Sequence, residues 1–480
     1  MSKPAGPSPQ MGALDHLMHR GEANPRTRSG VLLVEILDRT PDWTRLLDTF
    51  ERASRVVPRL RQKAVVPSLP TASPRWVIDP DFDLRYHLRR VRAPEPGDLR
   101  TVLDMAEVIV SSPLDVGRPL WTVTLVEDLA GGEAALLSHF SHAVTDGVGG
   151  VEMFMHLYDN ERNPALQPMP PLPVPEDLTP TDLTRSGIYR LPENLIGGVV
   201  GAVAGATRIA ANLVRDPIST VGGAVDYARS STRVLGPPAE QSPLLRRRGL
   251  SRRIEVLDVP LNRLRKAAKA GQASMNDAYL ASLCAALRIY HEELGVPVLA
   301  LPMAIPVSLR TAADPSGGNQ FTGVMLSAPI SVTDPVERMA NLRKQVRTRR
   351  DEPAATLINS IAPVVSFLPQ PIVDAVSESV TSADVQASNV PGQVEDTYIA
   401  GAKVKRLYGV GPVPGVAMMV VLTTRSGICT VTVRYDTDSV TDQDLFAKCL
   451  RAGFDEVLAL APDDPQKADA GSDDSKAVAR

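Results

Sequence analysis

One apolar run, Ala134 to Phe140, constrains this chain more than any other stretch: it has the length of a strand and a composition that demands burial. It ends on Ser141 and His142, with Asp146 and Gly147 just beyond. A preceding strand, Leu120 to Val126, leaves a Gly-Arg-Pro turn and pairs with it across Gly131 and Gly132 as a hairpin. Helical spacing is expected over Trp43 to Val57, with Trp43, Leu46, Leu47 and Phe50 on one face, and over Leu99 to Val110, which Pro113 closes. Val31 to Leu37 reads as a strand, and Arg75 to Asp83 and Tyr86 to Val91 as extended chain. Helices alternating with strands make this part of the chain an α/β layered domain.

The second half repeats the mixture. A strand at Ile254 to Val259 precedes a long helix from Met275 to Leu294, capped by Ser274, stopped by Gly295, and burying Tyr279, Leu283, Leu287 and Tyr290. Strands follow at Leu299 to Val307 and Phe321 to Ile330, then a helix at Pro335 to Arg350. Tyr398 to Leu407, Val416 to Thr424 and Ile428 to Arg434 read as strands, the last two joined by a turn at Arg425-Ser426-Gly427. A capping box beginning at Thr441 opens a closing helix that runs to about Leu460.

Between the halves lies a proline-rich stretch, Asn163 to Pro180, and then Leu195 to Val214, a small-residue segment with Gly197, Gly201 and Gly205 at every fourth place. Its length suits a membrane span, but its Gly and Ala content and Arg208 suit a helix packed on protein or lying in a lipid interface. Arg215 to Gly249, with the basic Arg246 to Arg248, reads as a poorly ordered connection. The expected organisation is therefore an N-terminal domain over 1–162, a linker with the small-residue helix over 163–250, a C-terminal domain over 251–462 and a disordered tail over 463–480.

With 480 residues, 43% hydrophobic and 22% charged, the chain is long enough for two cored domains of a globular protein. A net charge of −3 argues against nucleic acid as a partner. Cys284, Cys429 and Cys449 are isolated in apolar surroundings, as expected of buried thiols in a reducing compartment. The first residues lack the charged-then-apolar pattern of an export signal, so a cytoplasmic location is expected.

The box H-x-x-x-D-G formed by His142, Asp146 and Gly147 carries the clearest chemistry. An alcohol attacks an activated acyl group at neutral pH only if something takes its proton, and a neutral imidazole at a strand end can do so. Asp146 would then orient the ring or fix the loop by pairing with an arginine, and Gly147 would allow the turn. The alternative makes His142 a satisfied loop histidine and Asp146 a helix N-cap. No G-x-S-x-G elbow or Walker loop is present, and His291-Glu292 lacks the second histidine of a zinc helix, so no metal site is expected.

Six segments together resemble the bacterial wax ester synthase/acyl-CoA:diacylglycerol acyltransferase family. They are SSPLDVGRPLW at Ser111 to Trp121, SHAVTDG at Ser141 to Gly147, SMNDAYLASLCAALR at Ser274 to Arg288, PVSLR at Pro306 to Arg310, GGNQ at Gly317 to Gln320 and SNVPG at Ser388 to Gly392. The resemblance implies an α/β fold of two chloramphenicol acetyltransferase-like, condensation-domain-like domains set in a V around a central tunnel. It implies transfer of a long fatty acyl group from fatty acyl-CoA to a diacylglycerol or a long-chain alcohol, with no bound cofactor and acyl-CoA as co-substrate. His142 would be the general base, Asp146 and Gly147 would shape its loop, and Arg310 would pair with Asp146. Ser141, Asn276, Asp277, Asn319 and Asn389 would line the tunnel or the domain interface. Insoluble substrates imply a peripheral membrane or lipid-droplet surface as a further partner, with Leu195 to Val214 as the contact.

The chain departs from the family at two places. The family's box has two consecutive histidines, and the first is Ser141 here; strand alternation puts His139 on the face opposite His142, so it is no replacement. Where the family reads Pro-Met-His, this chain has Pro25-Arg26-Thr27-Arg28. Two rivals stand beside acyl transfer to a lipid hydroxyl: transfer to another hydroxyl or amine, and a lipid-binding relative that has lost turnover.

Overall fold

The structure is a computed structural model that describes residues 9–69, 71–144, 150, 155–165, 167–189, 238–308, 321–350, 368, 370, 373, 383–390, 392 and 395–462. In the first part of the chain, α1 (Ala13–Gly21), β1 (Gly30–Leu37) and α2 (Trp43–Val56) lead to the small hairpin-like pair β2 (Gln62–Val65) and β3 (Arg75–Ile78). Next come a helical turn α3 (Leu84–His87), β4 (Leu88–Arg92), α4 (Leu99–Ser111), β5 (Trp121–Glu127) and β6 (Ala134–Ser141). Asp42 and Asp98 start α2 and α4 by accepting the amides of Arg45 and Thr101, which satisfies a donor the helix cannot pair internally. Tyr86 and His87, expected to be extended, are helical because Asp83 caps the turn.

The later part contains β7 (Arg252–Pro260), α5 (Leu261–Ala270), α6 (Met275–Glu293), β8 (Leu301–Ser308), β9 (Phe321–Ala328), α7 (Pro335–Arg350) and β10 (Val385–Val390). It ends with β11 (Tyr398–Ile399), β12 (Ala402–Val410), β13 (Met418–Arg425), β14 (Ile428–Asp436) and α8 (Gln443–Leu458). The helix α5 has no counterpart among the sequence expectations. The single strand expected from Tyr398 to Leu407 is two strands, because Ala400 (φ 46°) and Gly401 (φ 85°) turn the chain back on itself. Asp442, not Thr441, caps α8, accepting the amide of Leu445.

Two six-stranded sheets result, in the orders β11-β12-β1-β6-β5-β4 and β7-β14-β13-β10-β8-β9. Their membership cuts across the expected division of the chain: residues 398–410, within the segment expected as a C-terminal domain, complete the first sheet by pairing β12 with β1. One face of the first sheet packs on α2 through Leu46, Phe50, Trp121 and Leu136. The other packs on α4 through Val102, Ala106, Val110, Leu32 and Leu137, in a cluster that also takes in Ile254 of β7 and Tyr408 of β12. The second sheet is covered by α5 to α8 around α6, which is buried on nearly every side from Asp277 to Leu287.

Residues 238–249, expected to be poorly ordered, are specifically held. Ser242 donates its amide to Asp384 at 2.7 Å and shares a 2.7 Å hydrogen bond with His291, which makes that histidine structural. The small-residue segment at 195–214 and the tail from 463 lie outside the described residues.

Candidate active site

β6 lies between β1 and β5, all of its residues are buried, and its last pairs are Phe140 with Trp121 and Ser141 with Gly30. The Pro-Leu-Trp segment before β5 seats this end. Trp121 stacks on His87 with centroids 4.3 Å apart and donates its indole N–H to the Leu60 carbonyl at 2.8 Å. The carbonyl of Leu120 accepts the amide of Ser141 at 3.0 Å. The chain then leaves the sheet: the amide of His142 donates to the Ser29 carbonyl at 3.0 Å, and that of Val144 to the Ser141 carbonyl at 3.0 Å. His142 is half-buried at the exit of a buried central strand.

The two residues that flank this exit share one acceptor. Ser141 Oγ donates to Glu22 Oε1 at 2.7 Å, and Ser29 Oγ donates to the same oxygen at 3.0 Å. Ser141 Oγ in turn accepts the amide of Ala143 at 3.2 Å. Glu22 Oε2 is buried with no hydrogen-bond partner among the described residues. Burial pushes the Glu22 carboxyl above the usual range, against the pull of the two hydroxyls and of Arg28. Sequence reading missed Glu22; it lies 119 positions from Ser141 and belongs to no motif.

His139 is buried on the α4 side of β6, its Nε2 close to Gly30. Burial, with Arg434 and Arg28 nearby, pushes its pKa down to about 3, so the ring is neutral at physiological pH.

The other expected site residues sit on the second sheet. Asp277 and Ser274 form a reciprocal capping box at the start of α6, with Ser274 N to Asp277 Oδ2 at 2.9 Å and Asp277 N to Ser274 Oγ at 3.1 Å. The same carboxylate accepts Arg343 Nε of α7 at 3.1 Å. Asn276 is joined to Asn389 of β10 by a 3.4 Å contact between their side chains. Asp146, Gly147, Arg310 and Asn319 lie outside the described residues. Among the described residues no cluster of His, Cys, Asp or Glu could hold a metal ion, and no helix is long and apolar enough to cross a membrane.

The two layers meet behind this site. Arg434 of β14 makes a bidentate pair with Glu107 of α4, at 2.9 and 2.8 Å, both side chains largely buried. Arg406 of β12 pairs with Asp258 of β7 at 2.6 Å, and Thr423 and Thr430 both donate to the Leu407 carbonyl.

A family model described as the wax ester synthase/diacylglycerol acyltransferase catalytic domain matches residues 6–279, and one described as the WS/DGAT C-terminal domain matches residues 317–457. A Mycobacterium tuberculosis protein printed as "Putative diacyglycerol O-acyltransferase Rv2484c" is 62% identical over 454 residues, covering 95% of this chain and 92% of its own. Another from that organism, Rv3087, under the same printed description, is 30% identical, covering 80% and 82%. Among solved structures, the wax ester synthase/diacylglycerol acyltransferase from Marinobacter aquaeolei VT8 matches with a TM-score of 0.63 at 20% identity, over 94% of this chain and 99% of that one. The first condensation domain of the calcium-dependent antibiotic synthetase matches with a TM-score of 0.59 at 15% identity, over 96% and 97%. These structures share the chloramphenicol acetyltransferase-like fold with this chain.

Proposed function

Since the chain belongs to the wax ester synthase/diacylglycerol acyltransferase family and is an acyltransferase, we propose that it moves a long-chain fatty acyl group from acyl-CoA to the hydroxyl of a diacylglycerol. The observation that carries this reading is the placement of His142 within the matched catalytic domain, half-buried at the end of β6 and tied through its backbone to Ser29.

In this mechanism the imidazole of His142 takes the proton of the acceptor hydroxyl as its oxygen attacks the thioester carbonyl carbon. The carbonyl π electrons move onto oxygen. The tetrahedral intermediate then collapses, the carbon–sulfur bond breaks, and the imidazolium returns the proton to the departing thiolate. Ester and coenzyme A are the products, and no metal or bound cofactor enters the balance. Asp146 would orient the ring or hold the loop with Arg310, Gly147 would permit its turn, and Asn319 would line the domain interface.

Ser141 does not favour a relative that has lost turnover. Its hydroxyl is fully buried and bonded to Glu22, so the place of the family's first histidine is filled by a built contact. Substrate insolubility supports work at a membrane or lipid-droplet surface on the cytoplasmic side, with Leu195 to Val214 as the proposed contact.

The test is product analysis with labelled palmitoyl-CoA and diacylglycerol, hexadecanol or a long-chain amine offered in parallel. Label is expected in triacylglycerol. Label in only the hexadecyl ester or only the amide would replace the acceptor, and no acceptor-dependent product from folded protein would overturn acyl transfer.

A further inference from the structure

Where the start of β1, the end of α4 and the start of β7 converge, the surface opens into a cleft of about 70 Å³, lined by Arg28, Ser111, Arg252, Val413 and Arg434 among others. Arginines from the loop before β1, from β7 and from β14 line one small volume. Only Arg434 has its charge matched at close range, by Glu107. Among the described residues neither Arg28 nor Arg252 has a carboxylate within ion-pair distance; their hydrogen bonds go to neutral carbonyls. Arg28 donates to the carbonyls of Glu22 at 3.1 Å and Ser111 at 2.6 Å, and Arg252 to that of Val413 at 3.4 Å. The nearby acid Asp436 is engaged by the amides of Gly249 at 2.8 Å and Asp438 at 2.9 Å.

Burial chiefly, and then the like charge of Arg434, push the Arg252 guanidinium below its usual range, against the pull of Asp436 and Glu107. A dianion in the cleft would relieve the repulsion. The planar fork of arginine matches phosphate oxygens, and the cleft has room for one phosphoryl group. The cleft also adjoins the reaction centre, since Arg28 precedes Ser29, whose carbonyl holds the amide of His142 at 3.0 Å. Arg26 and Arg28 lie in the segment where the chain departs from the usual Pro-Met-His of its family.

We propose that this cleft is a phosphomonoester site, with Arg252 as its central ligand and Arg28 and Arg434 beside it, and that the phosphomonoester is the 3′-phosphate of coenzyme A. The assignment of the donor rests on the acyl-CoA reading above. The site itself rests on the charge arrangement, and an anionic lipid head group carries the same chemistry.

Binding, not turnover, tests it. Adenosine 3′,5′-bisphosphate is titrated calorimetrically into the wild-type protein, Arg252→Gln, Arg252→Lys and the surface control Arg92→Gln, whose side chain is 85% exposed. Vesicles of phosphatidylcholine with and without phosphatidic acid form the second arm. Arg252→Gln is expected to weaken bisphosphate binding by about tenfold or more, as for a lost charged hydrogen bond. Arg252→Lys should fall between Arg252→Gln and wild type, and Arg92→Gln should stay within about twofold of wild type. If Arg252→Gln does not fold, the Arg252→Lys loss relative to Arg92→Gln decides. A selective loss confined to phosphatidic acid vesicles would keep the site and reassign its ligand to a lipid. Equal binding of both ligands to wild type and the Arg252 variants would overturn it. An acyl-transfer assay that failed would leave both arms readable.

Discussion

Replacing Glu22 by alanine would leave the buried hydroxyls of Ser29 and Ser141 without their shared acceptor. A loss of about 1–3 kcal/mol is expected in urea unfolding, with a fall in turnover as the backbone on both sides of His142 loosens. The pH dependence has a definite sign. The Glu22 carboxyl has a folded pKa raised above its unfolded value, so its favourable contribution is complete below the unfolded pKa and is lost as pH rises through the folded one. Glu22→Gln, which cannot ionise, should therefore compare more favourably with wild type at pH 7.5 than at pH 4; the same difference at both would refute the burial of an ionisable group there. Ser141→His is expected to destabilise by about 1–3 kcal/mol through overpacking, because Ser141 is fully buried. The place of Ser141 at the end of a buried strand was legible in the sequence. Its hydrogen-bond partner was not, since Glu22 lies 119 positions away and a lone glutamate gives no spacing signal.

At the scale of elements, long periodic segments read well and short turns badly. The helix expected at Pro335 to Arg350 has those bounds, and the expected hairpin before the His142 box pairs as β5 with β6. Both follow from patterns that repeat over many residues. The turn between β11 and β12 depends on Ala400 adopting a positive φ, which nothing in an Ala-Gly pair inside an apolar run announces. The packing of α8 on α6 depends on Gly453, where a Cβ would meet the Ala286 Cα and the Ser282 carbonyl oxygen, both at 2.7 Å. These are backbone atoms of a buried helix and cannot step aside. Gly453→Ala should therefore cost at least about 1–3 kcal/mol, read as a fall in Tm; an unchanged Tm would mean that the two helices are not in close contact.

Across the whole molecule the two sheets are joined by what sequence order conceals. β12 follows β10 in the chain yet pairs with β1, because strand partners are chosen by register and burial and not by proximity in sequence. The buried Glu107–Arg434 pair ties α4 to β14, and removing one partner strands a charge. Glu107→Ala is expected to cost about 3–5 kcal/mol. In Glu107→Ala with Arg434→Ala the two losses should sum to more than the measured one, and strict additivity in that double-mutant cycle would mean that the pair is not formed. The central claim for the whole molecule is that this scaffold presents His142 as the base for acyl transfer. Its most direct test is acceptor-dependent coenzyme A release from palmitoyl-CoA with diacylglycerol, comparing wild type with His142→Ala shown to be folded and to bind palmitoyl-CoA. A fall of about 100-fold or more is expected, whereas wild-type release from His142→Ala would contradict the assignment of the base.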